Sequence, residues 1–454
     1  MKDVIIIIAN AIRGTEFENN TFIAGGFVRD KVMGKESNDL DIVVSSPDGG
    51  IQLAKLLHKK GLSSRPVIFQ RFGTAQIIIS GYKIEFVMAR KESYRNKSRK
   101  PDVVQGTITE DIYRRDFTVN SLIMNVMNGE IRDITGKGIP DIKAKVIRAT
   151  SRPNIIFEED PLRMLRAVRF AVQLNFSIDN QTMNGIIANA HMLNHISRER
   201  IRDELIKILL HTAPADGVRM LVHSGMMQYV IPELINLKGA QQNKYHDKDM
   251  LEHTLQVLQN TSPDIVIRLS ALLHDISKPQ TRTEDEKGVH FYRHEIAGAK
   301  RARKILRDLK FPKETINKVS KLIKNHMRLK AFGDTIEEYS DVAVRRLIFQ
   351  LDSELEPLLS LIHADNLSHA KTYCLPNQIP ILKKRIDSIL KKINGKMLPV
   401  TGEDIMLHFE MSEGQNVGRI LEKAHEIWLQ HPFWKKTEIL TKIELEEELW
   451  KKKR

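Results

Sequence analysis

The sequence predicts an α+β protein with a small mixed sheet and helices at its N-terminal end, followed by an all-α body. Three observations support this fold class. Short apolar runs broken by glycine pairs occupy the chain up to residue 88. From residue 153 onward, apolar residues recur mainly at helical spacing. The 454 residues are also enough for two to four domains that each bury a core.

The composition favours a polyanionic partner. Lysines and arginines outnumber carboxylates by 71 to 57, which gives a net charge of +14 and a pI near 9.5. That surplus suits nucleic acid, and a merely basic protein is the alternative. The lone cysteine, Cys374, excludes an internal disulfide framework and favours a reducing compartment. No apolar run approaches the roughly 18–20 residues of a membrane span, so we expect a cytoplasmic protein without a membrane partner.

The first chemical motif is the segment AGGFVRDKVMGKESNDLDIVV near the N-terminus. A strand should turn at Gly25 and Gly26 into a short helix that carries Arg29. Glycines let the backbone approach a phosphate closely, and an arginine can neutralise it. If Asp39 and Asp41 lie on the next strand, both project from the same face. Two carboxylates on one face suit Mg²⁺, which also binds substrate phosphates.

Two further apolar runs, 72–79 and 82–88, are separated by Ser80 and Gly81 and predict a hairpin. Glu85 lies among apolar residues in the second run. It is either an ordinary outward-facing strand residue or, if the hairpin lies beside the aspartate strand, a third carboxylate of the metal cluster. Residues 91–100, KESYRNKSRK, have the composition of a mobile loop.

Polar groups follow at near-helical spacing in ITEDIYRRDFTVNSLIMNV, where Arg115, Asp116 and Asn120 stand opposite an apolar side. An ordinary amphipathic helix is the alternative to a functional motif there. A second, longer amphipathic helix is predicted over residues 153–175, because its apolar residues recur at spacings of three, three and four.

Asp160 and Arg163 are three residues apart and should share a face of that helix, and Arg166 and Arg169 continue the row. A carboxylate can accept from an exocyclic amine while an arginine donates to the neighbouring ring atom. Cytosine and adenine fit this pattern, whereas uracil and guanine leave its groups unpaired, and such mismatches permit discrimination by about 10⁴. A simple i, i+3 salt bridge is the alternative.

These motifs, in this order, resemble those of the class II tRNA nucleotidyltransferase and bacterial poly(A) polymerase superfamily. The matching stretches read GGFVRD followed by DLD, then RRDFTVNS, then EEDPLRMLRAVRF. The resemblance implies a catalytic head over residues 1–145 and a helical neck and base-selection domain over 146–240. It implies addition of CCA to the 3′ end of tRNA from CTP and ATP, with Mg²⁺ as cofactor. A poly(A) polymerase, or an enzyme adding only CC or only A, stays open, although the loop at 91–110 favours full CCA addition.

The resemblance also implies roles for individual residues. Asp39, Asp41 and Glu85 would be catalytic, and the two aspartates would bind Mg²⁺. The nucleotide would contact a larger set, in which Arg115 binds triphosphate, Asp116 and Asn120 position the ribose, and Asp160 and Arg163 select the base. The full set of predicted nucleotide-binding residues is Gly25, Gly26, Arg29, Arg115, Asp116, Asn120, Asp160, Arg163, Arg166 and Arg169.

A second pattern runs through the helical region. Histidines and aspartates follow in the order H, HD, H, H, D at His253, His274, Asp275, His294, His326 and Asp365. Ligands spread over several helices are how a helical bundle builds a metal site. The order resembles an HD phosphohydrolase domain, expected over 241–370, and implies a second divalent metal, with Ser277 where glycine is common. A metal-dependent phosphohydrolase is therefore an alternative function, and residues 371–454 are predicted to form a helical tail domain.

Overall fold

The computed structural model describes residues 1–93, 102–240, 249–286, 288–330, 336–393 and 398–451. The chain divides into two compact units, Met1–Asn236 with Asp308–Phe311, and Leu237–Arg307 with Pro312–Arg454. Within the described ranges, no helix is both long and apolar enough to cross a lipid bilayer. The predicted α+β class is confirmed, and the division into four domains stays a prediction.

A mixed sheet organises the first unit. The strands of this unit are β1 Thr21–Ala24, β2 Asp41–Val44, β3 Val67–Phe69, β4 Thr74–Ile79, β5 Tyr82–Met88, β6 Arg90–Ser93, β7 Asp102–Gln105, β8 Ile123–Asn125, β9 Ile131–Arg132, β10 Val146–Ile147 and β11 Ser177–Ile178. Seven strands form one sheet in the order β3-β4-β5-β2-β1-β8-β9. Within it β2 and β5 are parallel, and the other neighbours are antiparallel. The remaining four form two separate pairs, β6-β7 and β10-β11.

Helices surround this sheet and then continue as the second half of the unit. They are α1 Lys2–Ile12, α2 Gly26–Val32, α3 Gly49–Lys59, α4 Ile108–Tyr113, α5 Gly138–Ala144, α6 Pro153–Glu159, α7 Leu162–Leu174, α8 Asn180–Asn189, α9 Arg198–Leu209, α10 Pro214–His223 and α11 Met227–Val230. Close packing against the sheet explains the glycine pair that opens α3. A side chain at Gly50 would lie 2.8 Å from the backbone oxygen of Phe86 on β5.

The two faces of the sheet differ, because successive side chains on a strand point to opposite sides. The face that packs on α3 carries Ile42, Ile77 and Phe86, all buried. The other face carries Asp41 of β2, which is the direct register partner of Glu85 on β5. Register therefore places two of the three predicted catalytic carboxylates side by side.

The second unit is almost entirely helical. Its elements are α12 Met250–Gln259, α13 Ile265–Leu273, β12 Arg282–Asp285, β13 Gly288–Phe291, α14 His294–Asp308, α15 Lys313–Asn325, α16 Asp341–Leu351, α17 Leu355–Leu367, α18 Gln378–Ile393, α19 Gly402–His408, α20 Gln415–Gln430 and α21 Lys436–Lys451. Strands β12 and β13 form an antiparallel pair. Helix α13 packs against α12, α15 and α17, which places it in the centre of this bundle.

Several local predictions are confirmed, and others are wrong in informative ways. The strand, glycine turn and helix at Gly25 are present, as is the hairpin of β4 and β5. Asp39 lies before strand β2 rather than on it, since β2 begins at Asp41. The chain after Tyr113 leaves the helix, so the RRDFTVNS stretch is not helical throughout.

The predicted helix over 153–175 is two helices, α6 and α7, with a break at Asp160. The cause is Pro161, whose ring disfavours helical backbone in the preceding residue. Asp160 accordingly has φ −145° and ψ 98°. The predicted mobile loop at 91–100 begins as strand β6, and its residues 94–100 lie outside the described residues.

Candidate functional site

A cleft of about 520 Å³ in the first unit gathers the predicted nucleotide-site residues, apart from Glu85. Glycine makes this gathering possible at the turn after β1. Gly25 has φ 76°, and a side chain there would lie 3.3 Å from Nη1 of Arg115 and 3.9 Å from Oδ2 of Asp41. Arg29, one helical turn further, donates from Nη1 to Oδ1 of Asn120 at 2.8 Å. The turn thus brings cations and a carboxylate to one wall of the cleft.

Asp39, Asp41 and Glu85 form a cluster of like charges beside the cleft. Leu40, between Asp39 and Asp41, is buried, so the alternation predicted for a strand holds even though Asp39 precedes it. Burial, then the charges of Asp39 and Glu85, raise the pKa of Asp41 to about 6, against a smaller lowering by Arg115. A bound cation would relieve this repulsion, so the donor set fits the divalent metal that the family implies.

The pKa of Asp41 predicts a pH-dependent stability. Its pKa is about 6 in the folded protein and 3.8 without the fold, so ionised Asp41 opposes folding. The free-energy cost of ionising Asp41 in the folded protein grows as the pH rises from about 4 to 6, and it reaches its full value above pH 6. We expect Asp41→Asn to stabilise the metal-free protein by at most about 3 kcal/mol at pH 8, and much less at pH 4.5. Thermal unfolding in EDTA at the two pH values measures the gain in stability, and Asp48→Asn, at an exposed position, is the control. An equal gain in stability at both pH values would contradict the prediction.

A chain of hydrogen bonds links Arg166, Asp116, Asn120 and Arg29. Asp116 accepts from Nε and Nη2 of Arg166 at 2.8 and 2.6 Å, and from Nδ2 of Asn120 at 3.2 Å. Burial acts to raise the pKa of Asp116, but the charge and hydrogen bonds of Arg166 and Asn120 outweigh it and lower this pKa. Through Asn120 the chain continues to Arg29. Asp116 therefore works as an anchor for Arg166 in this structure.

Phe170 supports the arginine row. Its ring centroid lies 4.1 Å from the guanidinium carbon of Arg169, 5.4 Å from that of Arg166 and 5.7 Å from that of Arg29. Cations over an aromatic face are attracted by its quadrupole. The sequence interpretation missed Phe170 and its cleft neighbour Gln173, although Gln173 continues the row of Arg163, Arg166 and Arg169 at helical spacing.

Two buried carboxylates that hold cleft arginines were also missed. Asp111 pairs with Arg114 at 2.6 Å and with Arg115 at 3.0 Å. Glu204, on α9, pairs with Arg169 at 2.8 Å. The i, i+4 spacing from Asp111 to Arg115 could have predicted their ion pair from the sequence. Glu204 is distant from Arg169 in sequence, so no local pattern could have predicted that contact.

The proposed base-selecting pair shares the cleft but not a helix. Arg163 donates to Oε2 of Glu159 at 2.8 Å and to the backbone oxygen of Arg114 at 2.8 Å, which orients its guanidinium. Asp160 lies in the break before α7, and its Oδ2 pairs with Arg200 at 2.9 Å. Arg200, which also lines the cleft, therefore holds the Asp160 side chain together with the amide of Leu162, which donates to Oδ1 of Asp160 at 3.2 Å.

In the second unit, the six side chains predicted to bind metal lie together, and four of them, the histidines, surround the carboxylate of Asp275. Its Oδ2 lies 3.1 Å from Nε2 of His274 and 3.8 Å from Nε2 of His253. Its Oδ1 lies 3.5 Å from Nε2 of His294 and 3.9 Å from Nε2 of His326. The sixth member, Asp365, is 3.1 Å from Nε2 of His253.

The four imidazoles are oriented as metal ligands are. In each, Nδ1–H donates to a backbone carbonyl: His253 to Ser368 at 3.3 Å, His274 to Ala271 at 2.8 Å, His294 to Phe291 at 2.7 Å and His326 to Ile323 at 2.7 Å. Such a bond leaves the Nε2 lone pair as the available ligand. Burial, then His274 and His294, lower the pKa of His326 to about 3, which keeps that ring neutral.

The ligands divide into two sets that share Asp275. His253 and His274 form one set with it, and His294 and His326 form the other. Two lysines form ion pairs with the aspartates of this cluster. Nζ of Lys278 lies 2.7 Å from Oδ2 of Asp275, and Nζ of Lys330 lies 2.8 Å from Oδ2 of Asp365. His369, stacked on His253 at 5.9 Å, was not predicted.

Three sequence families match successive parts of the chain. Residues 21–148 match the poly A polymerase head domain, and residues 175–237 match a probable RNA- and SrmB-binding site of polymerase A. Residues 250–354 match the HD domain. The first match includes the carboxylate cluster, and the third includes the histidine cluster except Asp365.

Curated relatives carry related names but differ in the nucleotide that they add. A CC-adding tRNA nucleotidyltransferase of Thermus thermophilus is 29% identical over 90% of this chain and 89% of its own length. An A-adding tRNA nucleotidyltransferase of Deinococcus radiodurans is 28% identical over 90% of this chain and 92% of its own. A CCA-adding enzyme of Levilactobacillus brevis is 36% identical over 54% of this chain, which spans 57% of that relative.

Solved structures share the fold over almost the whole chain. The CCA-adding enzyme of Bacillus stearothermophilus in complex with CTP matches with a TM-score of 0.70 and 21% identity, over 100% of this chain and 99% of the other. The Thermotoga maritima enzyme complexed with tRNA matches with a TM-score of 0.60 and 21% identity, over 98% and 95%. In its motifs, cleft and domain order, the chain is similar to the class II tRNA nucleotidyltransferase and bacterial poly(A) polymerase superfamily, and it carries a poly A polymerase head domain and an HD domain.

Proposed function

We propose that this chain is a template-independent nucleotidyltransferase that adds C, C and A to the 3′ end of tRNA from CTP and ATP. The observation that carries this function is a single cleft with paired aspartates on one wall and a row of arginines on another. The basic net charge suits the RNA substrate. The single cysteine agrees with a cytoplasmic location.

In the reaction, the 3′ oxygen of the RNA forms a bond to the α-phosphorus of the nucleotide. The bond from that phosphorus to the bridging oxygen breaks, pyrophosphate leaves, and the hydroxyl proton passes to solvent. Asp39 and Asp41 would hold Mg²⁺, which would acidify the attacking hydroxyl and neutralise charge on the phosphates. Arg29 and Arg115 would bind the triphosphate through the donor hydrogens that Asp30, Asn120 and Asp111 do not use, with Gly25 leaving room for it.

Asp160 and Arg163 would read the base from the break between α6 and α7. Because Arg163 is already fixed by Glu159 and a backbone oxygen, its remaining donor capacity points in a defined direction. Asp160 is paired with exposed Arg200, so the base amine would compete with a solvent-accessible ion pair. Such pairs contribute only about 0–1 kcal/mol, which makes the exchange feasible.

The experiment for this function uses tRNA that lacks its terminal trinucleotide, incubated with CTP and ATP and then sequenced at the 3′ end. We expect CCA on most molecules, and little addition from UTP or GTP. Addition of A alone to this substrate, without C, would overturn the proposal.

Addition of only CC or only A is the second candidate function, because the relatives aligned over 90% of the chain have those two names. The same substrate separates these activities. A CC-adding enzyme stops after two residues even when ATP is present, whereas an A-adding enzyme needs tRNA that already ends in CC.

We further propose that the histidine cluster of the second unit binds divalent metal, with Asp275 shared between two positions. The support is the inward-facing Nε2 atoms and the division of ligands around its two oxygens. Nε2 of His294 and Nε2 of His326 lie 3.3 Å apart, although backbone bonding makes both acceptors. A cation between two such acceptors resolves that contact.

Metal analysis of purified protein tests this second site. In an Asp39→Ala/Asp41→Ala background, which removes the proposed metal site of the first unit, we expect about two divalent ions per chain by inductively coupled plasma mass spectrometry. His253→Ala and His294→Ala should each lower the content by about one ion, and Asp275→Ala should remove both. The control is His290→Ala, a histidine paired with Asp285 outside the cluster. Unchanged metal content in Asp275→Ala would refute the site.

A further inference from the structure

The catalytic face of the sheet continues beyond the cleft as an exposed apolar surface. Register aligns Asp41 with Glu85, Glu85 with Gln76, and Gln76 with Val67, so these side chains form one row across four strands. Strands in a sheet are about 4.8 Å apart, so Val67 lies roughly 14 Å from Asp41 along this row. The row therefore leads from the carboxylates to the sheet edge.

The outer part of this face is unusually apolar for an exposed surface. Val67 is 55% exposed, Phe69 47% and Ile78 51%, and all three lie on the face that carries Asp41. An antiparallel sheet with one open face normally presents polar residues there. Lys83, the register partner of Ile78, adds an exposed cation to the same face. Apolar patches next to a reaction centre mark places where ligands bind.

The direction of the reaction indicates which ligand this is. In the described part of the chain, the cleft lining contains no residue of β3, β4 or β5, and its cations lie on α2, α7 and α9 and directly after α4. Phosphoryl transfer places the attacking and leaving oxygens roughly in line across phosphorus. With the triphosphate among those cations, the attacking hydroxyl must approach from the opposite side, which is the side of Glu85 and Gln76.

We propose that the surface formed by Val67, Phe69, Gln76, Ile78 and Lys83 binds the 3′-terminal nucleotides of the acceptor RNA. The inference rests on the proposed nucleotidyltransferase function and adds a primer-binding surface to it. Bases stack on aromatic and aliphatic side chains, Lys83 would pair with a phosphate, and the Gln76 amide would hydrogen-bond a ribose or base edge.

Charge selects RNA over a second copy of this chain as the occupant. Residues 61–84, which follow α3 and include β3 and β4, contain three lysines and arginines, Arg65, Arg71 and Lys83, and no aspartate or glutamate. Two such surfaces would repel each other, whereas a phosphate backbone is attracted. Arg71 lies beside exposed Phe72, 6.0 Å from its ring centroid, so cation and aromatic ring adjoin at this edge.

Steady-state kinetics with tRNA lacking its terminal trinucleotide test the proposal. We expect Val67→Ser/Ile78→Ser to raise KM for tRNA about tenfold, with KM for CTP and Tm unchanged. Lys83→Ala should weaken tRNA binding and reduce its logarithmic salt dependence by roughly 0.7. The matched control is Ile68→Ser, which is on the same edge strand, 39% exposed, and faces the opposite side.

A crosslink locates the RNA directly. A photoreactive base at the 3′ end of the acceptor RNA should crosslink to β3 or β4, and the site is read by mass spectrometry. If the wild type does not extend tRNA, the proposed function fails. If it extends tRNA while the double variant keeps the wild-type KM for tRNA, the primer surface is wrong. A dimer that dissociates in the double variant without a change in that KM would instead make the surface a contact between copies.

Discussion

Asp41→Ala should lower the rate of CMP transfer to tRNA by at least about 10³-fold, while the protein stays folded. Asp41 lies at the junction of the cleft and the sheet face, beside Gly25 and opposite Glu85 in register. Removing it eliminates half of the proposed metal site. Because its charge is unfavourable in the metal-free fold, the substitution should not lower Tm measured in EDTA.

Single-turnover transfer with saturating CTP measures this effect apart from product release. Glu36→Ala is a matched control, since Glu36 is an exposed carboxylate in the same segment but outside the cleft. We expect the control to transfer CMP at the wild-type rate. Transfer that survives in Asp41→Ala but is lost in His274→Ala would move the active site to the second unit.

Asp116→Ala should destabilise the protein by about 3 kcal/mol, a larger effect than any surface substitution. Asp116 is buried and carries hydrogen bonds from Arg166, Asn120 and the amide of Phe117. Loss of this carboxylate leaves a partly buried guanidinium without its counter-ion. It also frees Asn120, which positions Arg29, so nucleotide affinity should fall with stability.

Urea unfolding at pH 7.5 measures the first effect, and CTP binding by calorimetry measures the second. Glu130→Ala provides the comparison, because Glu130 forms an exposed pair with Arg132 at 2.9 Å and its loss should change the stability little. Asp116→Asn keeps the shape of the side chain and one acceptor oxygen, so its loss of stability should lie between those of Asp116→Ala and Glu130→Ala. A stability loss in Asp116→Ala no larger than that in Glu130→Ala would contradict the anchoring role.

Local signals were sufficient for the parts of the site that are close in sequence. Paired glycines predicted the turn at Gly25, and alternation predicted that Asp39 and Asp41 face one way. Helical spacing predicted the row from Arg163 to Arg169, which α7 presents to the cleft. In each case the backbone period alone fixes which side chains share a face.

The remaining parts depend on tertiary structure. Only the sheet register shows that Glu85 adjoins Asp41. Glu204 reaches Arg169 from a helix more than thirty residues away, and a local pattern carries no information about that contact. The break at Asp160 was predictable in principle, since Pro161 disfavours helix before it, but the apolar period on both sides concealed it.

The cleft of the first unit should bind nucleoside triphosphate and metal together. A crystal structure with a non-hydrolysable CTP analogue and Mn²⁺ would test this, with anomalous scattering to locate the metal. We expect the triphosphate beside Gly25, Gly26 and Arg29, with metal bound to both Asp39 and Asp41. Nucleotide bound at the histidine cluster with the first cleft empty would contradict the claim.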